Sequence, residues 1–275
     1  MTPIRTAFTD AATTAGLYRD SRRLAARTSA LHSAKTAGRP VADVIAELAA
    51  RHLTTPQTAL ITDIGCGRGT TSRVLTEQLR PRRLLAIDAS PAMLAAARAR
   101  AARHALIAFV QADFRELPLR DASCDLAVAA FCLYHAPDPR LAVAEIARVL
   151  TPDGTAILVT KSANSYRALD ELVAAAGLDP IATKRPSLYA AAHSGNLATL
   201  TTPFLHVRQV QHEVHRFTFT GADHLADYLA TSPKYDLPPG LLGNPGAIAT
   251  ALRAARADEQ LETTSTVTYL IATGR

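Results

Sequence analysis

The spacing of apolar positions changes character twice along the 275 residues. Within the first fifty, Leu17, Leu24 and Leu31 recur at every seventh position and make one apolar helical stripe. Arg19, Arg23 and Arg27 form a separate basic face, with Tyr18, Arg22, Ser29 and His32 between the two. Gly38-Arg39-Pro40 breaks this helix, and 41–52 reads as a second one. From residue 59 the texture becomes short apolar runs alternating with amphipathic stretches. Strands are expected at 59–64, 83–87, 107–111, 125–133 and 155–160, and helices at 70–79, 91–104 and 139–150. The turn Thr151-Pro152-Asp153-Gly154 closes the last of these helices. Such alternation means βαβ units and a parallel sheet covered on both faces, an α/β fold of the doubly wound kind.

Beyond Lys161 the alternation is interrupted. Helices are expected at 166–176 and 187–200, then a strand-like stretch at 204–219 with a bulge or turn inside it. A helix at 222–230, a proline-rich loop at 233–245, a helix at 247–257 and a final strand at 264–273 follow. This organisation divides into an N-terminal helical lid, 1–52, and a main domain, 53–275, with a helical cap inserted at about 162–203 over the active edge of the sheet.

The segment with the most chemical content is the strand-to-helix turn Asp63-Ile64-Gly65-Cys66-Gly67-Arg68-Gly69. Glycines at 65, 67 and 69 let the backbone turn tightly and approach a ligand without Cβ atoms in the way. Asp63 ends the strand with a carboxylate able to accept from an ammonium group. Asp88 ends the next strand, where doubly wound folds use a carboxylate to hold ribose hydroxyls. The glycine spacing is G-x-G-x-G, and not the G-x-G-x-x-G that seats a pyrophosphate, so a nicotinamide oxidoreductase is disfavoured. Either aspartate could instead merely cap a helix.

The segments 63–70 (DIGCGRGT), 86–94 (AIDASPAML), 111–119 (QADFRELPL), 124–139 (CDLAVAAFCLYHAPDP) and 148–160 (RVLTPDGTAILVT) together resemble the class I S-adenosylmethionine-dependent methyltransferases. The likeness is to the broad group of ubiquinone-type and bacterial natural-product enzymes and covers roughly residues 55–160. It implies a Rossmann-like, mostly parallel seven-stranded sheet with an antiparallel last strand. It also implies S-adenosylmethionine as cofactor, released as S-adenosylhomocysteine. Asp63, Gly65, Cys66, Gly67 and Gly69 would hold the methionine end, and Asp88 the ribose diol. Ala89 and Met93 would pack near ribose and adenine. Asp113, between Ala112 and Phe114, would accept from the adenine amino group. Phe131 would floor the sulfonium. His135 would face the methyl acceptor, either as a general base or as a hydrogen-bonding residue that shapes the pocket. Tyr18, on the N-terminal helix, is a second catalytic candidate. The resemblance departs at Pro152-Asp153-Gly154, where the family has proline-glycine-glycine; an altered hairpin is the expected consequence.

Composition alters this picture little. The net charge of +6 leans toward the N-terminal arginines, and no Lys/Arg block with interleaved aromatics is present. A solvated helix face accounts for it, and nucleic acid is not the expected partner. Cys66, Cys124 and Cys132 match no zinc spacing and suit a reducing compartment. Residues 1–10 lack the apolar core of a secretory signal, and no stretch approaches a membrane span, so a cytoplasmic enzyme is expected. His206 and His212 alternate onto one strand face, Glu213 and His215 onto the other, so no metal site is expected there. The acceptor pocket should draw on Tyr189, His193, Tyr228 and Tyr235, which suits a medium-sized organic metabolite of secondary metabolism. The apolar N-terminal stripe packs either on the sheet domain or on a second copy of the chain, as a homodimer. An RNA or protein methyltransferase, or a repurposed fold catalysing a cyclisation, are the competing readings.

Overall fold

The computed structural model describes residues 6–275; the first five residues of the N-terminal segment lie outside the described residues. Helices α1 (Ala11–Leu17) and α2 (Ser21–Ala34) lead into strand β1 (Lys35–Ala37) and helix α3 (Val41–His52). The alternating region follows: β2 (Leu60–Ile64), α4 (Thr70–Leu79), β3 (Arg83–Asp88), α5 (Pro91–Arg100), β4 (Ile107–Gln111), β5 (Cys124–Ala130), α6 (Pro139–Val149) and β6 (Leu150–Lys161). The chain ends with α7 (Arg167–Ala175), α8 (Leu197–Thr201), β7 (His206–Phe219), α9 (Ala222–Leu229), α10 (Pro245–Ala254) and β8 (Leu261–Thr273).

The strands form one sheet in the order β1-β7-β8-β6-β5-β2-β3-β4. Strands β2 to β6 pair in parallel, while β8 runs antiparallel to both β6 and β7. The central strands are buried on both faces and read as unbroken apolar runs, as parallel sheets require. The described residues thus give eight strands where seven were expected. The extra one is β1, which pairs antiparallel with the edge of β7. It arises because α2 stops at Lys35 in extended backbone and Gly38 then turns at a positive φ of 102°. A Cβ on Gly38 would lie 2.4 Å from the ring of His215, so only glycine allows this close return along the strand.

The N-terminal helix is also divided in two. Asp10 accepts from the amide of Thr13 and Asp20 from that of Arg22, so each starts its own helix, with Tyr18 at the junction. The expected helix at 187–200 survives only as α8. Upstream of it the Nδ1 of His193 accepts from the Gly195 amide, and Asn196 Oδ1 accepts from the His193 amide. These side-chain acceptors satisfy the backbone locally and compete with helix formation. Thr151 to Gly154 is a bulge within β6, and does not close α6 as a separate turn. The register with β5 slips between Cys124 and Leu126, and a Cβ on Gly154 would lie 2.9 Å from the carbonyl oxygen of Cys124.

Two apolar cores flank the sheet. One packs α3 and α4 under β2 and β3 through Ile45, Leu48 and Leu75. The other packs α6, α7, α9 and α10 on the opposite face through Ile146, Leu169, Leu225 and Ile248. Leu17 is buried within the second core, and Leu24 and Leu31 border a cavity at the sheet edge. The stripe that suggested a second copy of the chain is therefore turned toward the chain's own interior. No helix of the described residues is long and apolar enough to cross a membrane.

Candidate active site

The carboxyl ends of β2 to β6 open onto one cavity of about 1080 Å³. This is where open parallel sheets place ligands, because the loops leaving the strands diverge there. The first loop is held by backbone bonds: Cys66 N–H donates to the carbonyl of Ile87, and Gly69 N–H to that of Cys66, both at 2.9 Å. Gly65, Gly67 and Gly69 all have positive φ, at 65°, 53° and 76°. They serve different ends. A Cβ on Gly65 would lie 2.5 Å from Cβ of Cys132, and one on Gly69 would lie 2.9 Å from Cβ of Ala97. Those two let the loop pack on its neighbours. Gly67 has nothing within 4 Å of its would-be Cβ and borders the cavity itself.

Two carboxylates stand beside this loop. Asp63 is 1% exposed and accepts from the Ser72 hydroxyl. Burial pushes its carboxyl up to about 7, with Asp88 adding to the rise and Ser72 opposing it. Asp88 accepts from the amides of Gly67 and Ser90, both at 2.8 Å. Burial raises its pKa as well, against those two bonds. Two backbone donors leave lone pairs of Asp88 facing the cavity. Ala89, Met93, Phe114, Phe131 and Cys66 border the same space. Asp113 borders it too, but both its oxygens are held by Arg115, whose hydrogen bonds lower its pKa. Ala112 and Gly69 do not reach the cavity: Ala112 packs against the core, and Gly69 faces α5. The Cys66 and Cys132 thiols are driven upward by burial, which makes them space-fillers and not nucleophiles.

The site fits S-adenosylmethionine on this chain's own geometry. Gly67 offers a backbone surface open to a ligand, Asp88 has acceptor capacity toward a diol, and Asp63 is a buried acid whose ionisation a ligand ammonium would favour.

The N-terminal segment closes the cavity's other side. Phe8 is 3% exposed and stacks on Tyr134 at 5.4 Å and against His135 at 4.4 Å between ring centroids. The carbonyl of Phe8 lies 3.3 Å from Nδ1 of His135, and the Tyr18 hydroxyl lies 3.1 Å from Nε2. A carbonyl only accepts, so Nδ1 carries the proton and Nε2 accepts from Tyr18. His135 is thus neutral with both nitrogens engaged, and burial pushes its pKa down to about 3. The Ser90 hydroxyl donates to the Tyr18 carbonyl at 2.7 Å, tying the same segment to the loop after β3. His135 and Tyr18 are brought together, as bridges between the N-terminal segment and the sheet.

Among the cavity-facing residues that escaped the sequence reading are two cations. Arg27 belonged to the face read as solvated, yet it turns inward, its guanidinium 5.6 Å from the Phe8 ring centroid. Lys161 ends β6; its Nζ donates to the Tyr166 hydroxyl at 2.7 Å and lies 5.3 Å from the Phe131 ring centroid. Its position at a parallel strand's carboxyl end was the available signal. Phe131, at the end of β5, has a φ of 59°, a strained backbone that persists where the surroundings dictate it. Of the pocket residues expected beyond the glycine loop, Tyr189 and Tyr228 line the cavity; His193 and Tyr235 do not. Tyr235 instead donates to Asp170 at 2.9 Å. Among the described residues no group of three or more His, Cys, Asp or Glu could hold a metal ion. His212 instead bonds Thr268 at 2.8 Å.

A glycine loop, a strand-end acid on the next strand and a walled chamber beyond them make an α/β site whose chemistry suits a nucleoside-bearing ligand. In its fold and in the stretch 62–158 the chain is similar to methyltransferases. Residues 62–158 match the family described as the methyltransferase domain. The chain is 35% identical over 109 residues to malonyl-[acyl-carrier protein] O-methyltransferase of Serratia marcescens, a match covering 40% of this chain and 41% of that protein. It is 35% identical over 98 residues to demethylmenaquinone methyltransferase of Clavibacter sepedonicus, covering 36% and 39%. The match thus spans about two fifths of the relatives' length. The solved structure of YcgJ from Bacillus subtilis superposes with a TM-score of 0.57 at 20% identity, over 85% of this chain and 97% of that one.

Proposed function

We propose that this protein transfers the methyl group of S-adenosylmethionine to a small organic metabolite enclosed with it in the cavity, releasing S-adenosylhomocysteine. The observation that supports this best is the continuity of the cavity. One chamber runs from Gly67 and Asp88 past Phe131 to a wall of Arg27, Tyr189 and Tyr228. Its 1080 Å³ lies just above the range of about 300–1,000 Å³ usual for one small-molecule site, which leaves room for a cofactor and a second molecule.

Bound there, the cofactor supplies an already activated methyl group. The chain's task is then alignment and exclusion of water, which can lower a barrier by about 7–11 kcal/mol in favourable systems. Phe131 and the N-terminal segment shape the space beside the expected sulfonium, and the Phe8–His135–Tyr18 bridge fixes that segment in place.

Calorimetry is the direct test. S-adenosylhomocysteine should bind saturably and NAD should not. With methyl-labelled cofactor, label should move to small molecules of a metabolite extract and not to bulk RNA or protein. NAD binding, or the absence of S-adenosylhomocysteine binding, would overturn the reading; label on RNA or protein would move it to a macromolecular acceptor.

A further inference from the structure

The acidic residues around the cavity lie on one side. They are Asp63, Asp88 and Asp113, at or just past the carboxyl ends of β2, β3 and β4, where Arg68 and Arg115 also line the cavity. Beside Lys35, which Glu213 faces, the opposite half holds two cations, Arg27 and Lys161, whose electrostatic neighbours are tyrosines and, for Lys161, Arg27, with no carboxylate among them. Lys161 is packed against three aromatic rings, with Nζ 4.8 Å from the Tyr166 centroid, 5.3 Å from Phe131 and 5.6 Å from Tyr189. An ammonium confined among rings, with the phenols of Tyr166 and Tyr189 as its hydrogen-bond partners, still keeps a donor to spare, since it has three N–H groups. Removing it from water without an anion is costly, and the cost falls if the ligand supplies one.

Resting on the methyltransferase reading, we propose that the acceptor binds as an organic anion, a carboxylate or an acidic phenolate, with its charged oxygen on Nζ of Lys161 beside the Phe131 ring. The second cation, Arg27, adds to the field that favours such a ligand. In the reaction an oxygen lone pair forms the O–CH₃ bond while the S–CH₃ bond breaks and leaves its electron pair on sulfur. Anion and sulfonium become a neutral ester or ether and a neutral thioether. No proton is released, so no base is needed. This agrees with His135, whose two nitrogens are already committed to Phe8 and Tyr18. Burial lowers the pKa of Lys161, and an anion on Nζ would raise it again.

The test uses full-length protein saturated with S-adenosylhomocysteine and titrated calorimetrically at neutral pH. The probes are matched pairs: benzoate and benzamide, 4-hydroxybenzoate and its amide, octanoate and octanamide. At least one carboxylate should bind tenfold or more tightly than its amide. Lys161→Met should reduce that preference to twofold or less, Lys161→Arg should keep most of it, and both variants should bind S-adenosylhomocysteine within twofold of wild type. Amides matching their carboxylates throughout, or a preference that survives Lys161→Met, would overturn the anionic acceptor while leaving the methyltransferase reading intact. That reading is checked separately by the first titration, with S-adenosylhomocysteine alone.

Discussion

At the scale of single residues, the glycine loop separates folding from binding. Ala at 65 would clash with Cys132 as well as adopt a left-handed backbone, whereas Ala at 67 meets only the second difficulty, worth about 1–2 kcal/mol. Gly65→Ala should therefore lower the melting temperature markedly. Gly67→Ala should fold with a smaller loss but bind S-adenosylhomocysteine at least tenfold more weakly; paired melting and calorimetric titrations distinguish the two. Asp63 makes a second prediction. Its carboxyl titrates near 7 in the free protein, and a nearby ligand ammonium favours the ionised form. At pH 6 binding of S-adenosylhomocysteine should thus release a proton, and affinity should rise with pH until about 7. Calorimetry in buffers of different ionisation enthalpy measures that proton, and Asp63→Asn should abolish it. The placement of this aspartate was legible because its motif fixes both its strand end and its glycine loop. Lys161 was not, since a lone lysine after an apolar run looks the same whether it meets solvent or a chamber of aromatic rings.

At the scale of elements, the alternating strands and helices from 60 to 161 were readable because periodicity and burial agree there. The N-terminal segment was readable as helical but not as two helices, because the two capping aspartates, ten residues apart, lie within one continuous stripe. Strand β1 had no local signal at all: three residues become a strand only because β7 presents an edge. Whereas α2 packs on α9 and β7, the segment 6–20 is held chiefly by the Phe8 ring, the buried Leu17, the paired bonds to His135 and the Ser90 bond to the Tyr18 carbonyl. Such a unit should open without global unfolding. Phe8→Ala should raise amide exchange across 6–20 by tenfold or more while leaving β2, β5 and β6 protected. Tyr18→Phe should have a smaller effect of the same kind, because it removes one hydrogen bond, worth about 0.5–1.5 kcal/mol, and leaves Nε2 of His135 without its donor. Exchange in β5 rising equally in Phe8→Ala would show the segment to be integral to the main core.

At the scale of the whole molecule, buried titratable groups set how stability depends on pH, and they do not all pull the same way. His135 and His215 have folded-state pKa values pushed down to about 3 and about 4 by burial, against about 6.5 in the unfolded chain. Between those limits the unfolded state binds protons that the folded state refuses, so stability falls as the pH drops from 6.5 toward 4. Asp63 acts in the opposite sense. Its folded carboxyl keeps a proton up to about 7 that the unfolded chain gives up near 3.9, so its contribution is lost as the pH rises through the same window. Asp88, raised by burial, acts as Asp63 does, and His32 and His193, lowered by burial, act as the other two histidines do; the histidines outweigh the aspartates, so unfolding takes up protons on balance across this window. The melting temperature should accordingly decline from pH 6.5 to pH 4.5. Asp63→Asn removes one opposing group and should steepen the decline. His215→Phe removes one of the driving groups and should flatten it. Melting curves of the three proteins across this range, in one buffer series at constant ionic strength, decide the matter: identical slopes would mean that neither buried group controls the acid limb.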